Sequence, residues 1–126
     1  IITGDLIVDS NGTFAGDVTA ANFNTTSDAR IKTNIEPISN AIDIVKQLEG
    51  VFFDKNGEPD LGLIAQQVEK VLPRASKTLN DPMQTKTVNY GGLVGVLIEA
   101  VKSNTKEIDD LKLQVKQLME IVNGRN

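Results

Sequence analysis

The sequence predicts an α+β fold: a small mixed domain of short strands and helices that runs into a long coiled-coil helix, behind a β-patterned lead. Three observations carry this prediction. Composition changes at Ser27-Asp28-Ala29-Arg30-Ile31-Lys32, where a Gly-, Asn- and Thr-rich lead gives way to denser apolar patterning. Strand-like and helix-like periods then alternate between residues 39 and 90. Finally, Val101, Asn104, Ile108, Leu111, Val115, Leu118 and Val122 recur at alternating three- and four-residue steps, which is a heptad seam.

The totals narrow the chemistry. A chain of 126 residues with 40% hydrophobic and 24% charged residues suits one modest core plus an appendage. Four Phe, one Tyr and no Trp leave that core to Ile, Leu and Val. Without Cys or His there is no thiol or imidazole catalysis, no disulfide and no zinc site of the usual kind, and neither metal nor cofactor is expected. Any catalysis must use Ser, Thr, Lys, Asp, Glu or Tyr. A net charge of −4 argues against a nucleic-acid partner. No apolar run of roughly 18 residues or signal-like start supports a membrane partner or secretion. The start on Ile1-Ile2 without Met reads as a continuation of something upstream.

Taken in order, residues 1–24 hold a loose repeat in which Gly4-Asp5-Leu6 returns as Gly16-Asp17-Val18, with the turn signal Asn11-Gly12 between. Leu6-Ile7-Val8 and Thr13-Phe14-Ala15 flank that turn. Such small apolar faces give a marginal hairpin, so the segment is expected to gain order by stacking or winding with other chains; the plainer reading is a frayed hairpin or linker. Past Lys32, Pro37 keeps the chain extended, Ser39 is the expected N-cap of a helix through Leu48, and Gly50 stops it. Val51-Phe52-Phe53 reads as a strand and Lys55–Pro59 as a turn. Leu61–Ile64 leads into a second helix with Ile64, Val68, Val71 and Leu72 on its apolar face, ended by Pro73. Short strands are expected within Ser76–Asp81 and Thr85–Tyr90. Gly91-Gly92 is expected to break the chain before a helix from about Leu93 to Val122.

The heptad seam places Val or Ile at each a position and Leu at two d positions, a pattern that favours two strands. Its stripe of Val101, Ile108, Leu111, Val115, Leu118 and Val122 implies a partner helix, or else folding back onto the chain's own domain.

Three segments then resemble one family. Ser27-Asp28-Ala29-Arg30-Ile31-Lys32-Thr33-Asn34-Ile35-Glu36-Pro37-Ile38 is followed by Gly62-Leu63-Ile64-Ala65-Gln66-Gln67-Val68-Glu69-Lys70-Val71-Leu72-Pro73, and then by Val88-Asn89-Tyr90-Gly91-Gly92-Leu93. In this order they resemble the intramolecular chaperone autoprocessing domain of phage endosialidase tailspikes, tail fibres and neck appendages, with a neck appendage or similar spike looking nearest. A related domain occurs in a eukaryotic membrane-bound transcription factor. The resemblance implies three parts: residues 1–26 as the end of a fibre passenger, a triple β-helix; residues 27–102 as the chaperone and autoprotease; and 103–126 as the coiled-coil tail. It also implies a homotrimer, in tension with the two-stranded preference of the heptads. The expected partners are other copies of the chain and its own upstream passenger. The chaperone part is expected to act in the host cytoplasm during virion assembly and to leave the finished appendage.

By the same resemblance the scissile bond is Thr26–Ser27, with Ser27 the nucleophile, Lys32 the general base, and Asp28 and Arg30 holding the loop. Free lysine, at pKa ~10.4, is protonated at neutral pH. The dyad therefore requires burial or a neighbouring cation, for which Arg30 is the candidate. Residues five apart point to opposite faces of a strand and lie about 140° apart on a helix. Either a turn folds Lys32 back, or Lys32 reaches Ser27 of a neighbouring copy. Read without the family, Ser27-Asp28 is an N-cap or Asx-turn and Lys32 a surface lysine. Gln66, Glu69, Asn89 and Tyr90 are motif positions whose expected roles are packing and hydrogen bonding. The rival readings are an inert trimerisation module and, less well supported, a receptor-binding tip.

Overall fold

The computed structural model describes residues 1–125 and divides into two compact units, Ile1–Ile35 and Glu36–Asn126. In the first, residues 1–28 form neither helix nor strand, and every residue of the unit is exposed. The Asn11-Gly12 signal does not close a hairpin within the chain. Its flanking arms offer three residues each, too little apolar burial to offset the entropy of ordering them. One 3₁₀ turn, Ala29–Ile31, is the unit's only regular element among the described residues.

The second unit is α+β. Helix α1 (Ala41–Gln47) precedes a hairpin of β1 (Val51–Lys55) and β2 (Glu58–Gly62). Helix α2 (Ala65–Val71) leads through a 3₁₀ turn, Pro73–Ala75, to the antiparallel pair β3 (Ser76–Thr78) and β4 (Lys86–Val88). Helix α3 (Tyr90–Asn123) completes it.

Four local expectations need correction. The cap of α1 is Asn40 rather than Ser39; its φ of 56° is a left-handed conformation that asparagine tolerates better than most residues. The stretch assigned to a turn and helix lead-in is strand β2. Asn56 and Gly57 both take positive φ, 52° and 83°, as a two-residue primed hairpin loop demands. Counting from that loop, Pro59 faces Asp54 at a non-hydrogen-bonded pair, so its missing N–H removes no ladder bond. Ile64 is the extended residue before α2 rather than part of its helical face. Gly91-Gly92 does not break the chain but forms the first turn of α3. Asn89 caps that turn, its Oδ1 accepting from Gly92 N–H at 2.9 Å. A Cβ on Gly92 would sit 2.7 Å from the Asn89 amide nitrogen, so a larger residue there would push the capping side chain aside.

Two small clusters make the core. Ala41 of α1 packs with Val96 and Ala100 of α3, and Val68 of α2 packs with Ala75 and Leu93. Leu72 touches both clusters and joins them. The motif residues brace this core. Tyr90 Oη accepts from Leu63 N–H at 2.9 Å, and a Cβ on Gly62 would lie 2.5 Å from that hydroxyl, so only glycine admits the tyrosine. Glu69 of α2 pairs with Lys86 of β4 at 2.7 Å. Gln66 lies exposed on α2.

All burial on α3 ends at Ala100. The described residues from Val101 onward are exposed, so the seam does not fold back onto its own domain. A helix of 34 residues is about 51 Å long at 1.5 Å per residue, and most of it lies beyond the domain it caps.

Candidate functional site

Ser27 and Lys32 meet through a single turn. Asp28, with φ −68° and ψ 132°, is an N-cap: its Oδ1 accepts from Arg30 N–H at 2.9 Å. Ile31 N–H donates to Asp28 O at 3.2 Å and Lys32 N–H to Ala29 O at 3.1 Å, which closes the 3₁₀ turn. The backbone thereby reverses the divergence that a five-residue step would have on a regular strand or helix. Lys32 Nζ stands 2.5 Å from Ser27 Oγ. A turn thus folds Lys32 back toward Ser27 of its own chain.

A second interaction stiffens the turn. The Arg30 guanidinium forks onto the Asp28 carboxylate, Nη2 to Oδ2 at 2.7 Å and Nε to Oδ1 at 3.0 Å. The side-chain bond from Arg30, and then the bond from its backbone N–H, hold the Asp28 carboxyl below its ordinary pKa, while Asp28 raises that of Arg30. Arg30 is therefore engaged by Asp28, and its charge is matched there. It is not the free cation that the sequence expectation sets beside Lys32.

Thr26, Ser27, Asp28, Arg30 and Lys32 are all exposed in this chain. Nothing in the unit itself desolvates the pair. The other motif residues, Gln66, Glu69, Asn89 and Tyr90, belong to the second unit, where the contacts of the last three are structural. The seam residues Val101, Ile108, Leu111, Val115, Leu118 and Val122 share one exposed stripe of α3.

Sequence reasoning passes over one pair, Phe52 and Leu61. They oppose each other across the β1–β2 ladder and are 91% and 69% exposed. The signal for it was Asn56-Gly57 between two five-residue arms, masked by Pro59.

Comparison with known proteins agrees with the motif order. Residues 27–77 match the family described as peptidase S74, chaperone of endosialidase. The long tail fiber protein Gp37 of Salmonella phage S16 is 37% identical over 130 residues, covering 91% of this chain and 17% of that protein. Its namesake in Enterobacteria phage K3 is 35% identical over 104 residues, covering 75% of this chain and 8% of the relative. In Enterobacteria phage M1 the figures are 32% over 96 residues, 68% and 38%. The chain thus spans a minor part of these relatives, which bear the name of tail fibres and not of neck appendages. The ordered motifs, the matched segment and the fibre relatives converge: the chain carries a chaperone of endosialidase family segment at residues 27–77 and is similar over most of its length to phage long tail fibre proteins.

Proposed function

We propose that this chain is a homotrimeric intramolecular chaperone that aligns the copies of an upstream phage fibre, then frees itself by cutting the Thr26–Ser27 bond. The observation that carries the reading is the 2.5 Å approach of Lys32 Nζ to Ser27 Oγ, made by a turn that Asp28 and Arg30 hold. In the reaction, the neutral Lys32 amine takes the hydroxyl proton while Oγ bonds to the Thr26 carbonyl carbon. The Thr26–Ser27 C–N bond breaks, the Ser27 nitrogen leaves as an amine carrying that proton, and Thr26 is held as an ester. Water then hydrolyses the ester, restoring the Ser27 hydroxyl and releasing the Thr26 carboxylate. The backbone N–H groups of Asp28 and Ala29, which have no hydrogen-bond partner among the described residues, are candidate donors for the oxyanion.

In the single chain the turn stands open to water, and assembly of copies is the step that would bury it. Cleavage then follows assembly in the host cytoplasm, and the chaperone part leaves the finished fibre.

Intact-mass measurement and a denaturing gel test this directly. The folded chain is expected to lose 26 N-terminal residues, with Ser27→Ala and Lys32→Ala each slowing the cut by roughly 10³-fold or more. On this reading the dyad acts within one chain, so mixed oligomers of the two variants should not recover cleavage; recovery would place the acting Lys32 on a neighbouring copy. A wild-type chain that stays whole while folded and oligomeric rules out autoproteolysis and leaves a structural trimerisation module.

A further inference from the structure

The β1–β2 hairpin and the first turns of α3 enclose an apolar groove of about 350 Å³. Leu93 lines it beside Val94 and Leu97, and Phe52 and Leu61 line it from the hairpin. Phe52 and Leu61 form a non-hydrogen-bonded cross-strand pair, where side chains lie closest, yet both remain largely exposed. Contiguous apolar exposure of this kind marks an interaction surface.

The heptad identifies what covers it. Counting back seven residues from Val101 and Asn104 places Val94 at an a position and Leu97 at a d position, both exposed. The groove therefore opens onto the seam itself. In parallel, in-register helices a g residue of one copy faces the e residue five positions on in the next copy. Glu107 occupies g and Lys112 occupies e. Their charges are opposite, and neither is in an ion pair within its own chain among the described residues. That complementarity selects a parallel second copy of this chain. Two heptads earlier the same step runs from Leu93, at g in the groove lining, to Ile98 at e. Ile98 is 53% exposed and is not part of the groove of its own chain.

We propose that the groove is a socket for Ile98 of the neighbouring copy, with Phe52 and Leu61 as its outer wall. The proposal rests on the assembly reading above and deepens it. The hairpin becomes part of the oligomer interface, and the coiled coil and the globular unit assemble as one body. Each copy offers its socket to one neighbour and its Ile98 to the other, an arrangement that closes into a ring.

Because the chain has no native cysteine, disulfide trapping tests the contact. Full-length chains carrying Phe52→Cys and others carrying Ile98→Cys, tagged to different masses, are co-expressed, oxidised and run on a non-reducing denaturing gel. A mixed-mass dimer as the main product, absent when either variant is expressed alone, is expected. Glu107→Cys with Lys112→Cys is the companion pair, reporting the parallel register without the socket. An oligomeric wild type whose 107–112 pair traps while the 52–98 pair does not overturns the socket alone. A monomeric wild type by light scattering overturns the assembly reading and the socket with it. As a second measurement, Ile98→Asp should raise the concentration at which the oligomer dissociates at least tenfold and leave the helix content of the chain unchanged; an unaltered dissociation concentration overturns the socket.

Discussion

Ile1–Ile35 and Glu36–Asn126 reach order by opposite means. In the first unit every side chain is exposed, and its defined geometry, the Ser27–Lys32 contact, comes from hydrogen bonds spanning two to five residues. In the second, six buried side chains drawn from α1, α2, α3 and the Pro73–Ala75 turn set the architecture, through contacts distant in sequence. The difference teaches how one chain can hold two kinds of order. The Ser27–Lys32 contact sits in a local turn that forms without a core, while the exposed α3 stripe extends from a framework that needs one.

Perturbing the second unit should give the largest effects. Val115→Asp places a carboxylate on the exposed seam and should abolish the oligomer in light scattering, with the circular dichroism of the globular part retained. Retained oligomer mass would mean that the seam is not the contact. Within the core, Val96→Asp buries an unpaired charge at a site 3% exposed and should cost about 3 kcal/mol or more in denaturant unfolding. Gly62→Ala should cost about 2 kcal/mol, because the new methyl displaces the Tyr90 hydroxyl from Leu63 N–H. Those losses contrast with the local turn, whose perturbation should leave global unfolding nearly unchanged.

Asp28 gives the smallest effect and the sharpest contrast. Its folded-state pKa lies below the ordinary 3.8, through the Arg30 side chain first and the Arg30 backbone N–H second. For a depressed carboxyl the stabilisation is complete above the unfolded value and is lost as pH falls through the folded one. The Arg30 Nε–H resonance should therefore keep its hydrogen-bonded shift down to pH 3.8 and give way only below it. Loss of that shift well above pH 4 would mean that the fork does not hold the turn.

Much of the second unit was legible before its coordinates. Helices around Ala41–Gln47 and Ala65–Val71 follow from apolar spacing, and Gly50 and Pro73 bound them for the expected steric reasons. Errors fell where a local signal competes with a contact distant in sequence. Pro59 argued against a strand, but pairing with β1 placed it where no N–H is needed. Gly91-Gly92 argued for a break, but the Asn89 cap and the burial of Leu93 and Val96 hold those glycines in a helix. At the candidate site, residue types and order pointed to Ser27 and Lys32, whereas the role imagined for Arg30 could not survive an unforeseen fork with Asp28.

Sequence alone therefore determined what depends on residue type and short spacing: the α+β class, the motif order and the heptad phase. Only the tertiary structure decided what depends on distance in space. It turned Lys32 back onto Ser27 in one chain, tied Tyr90 to Leu63 across 27 residues, and left Phe52, Leu61 and the α3 stripe uncovered. The reason is physical: periodicity tells which face of an element is apolar, but burial of that face is settled by which other elements reach it.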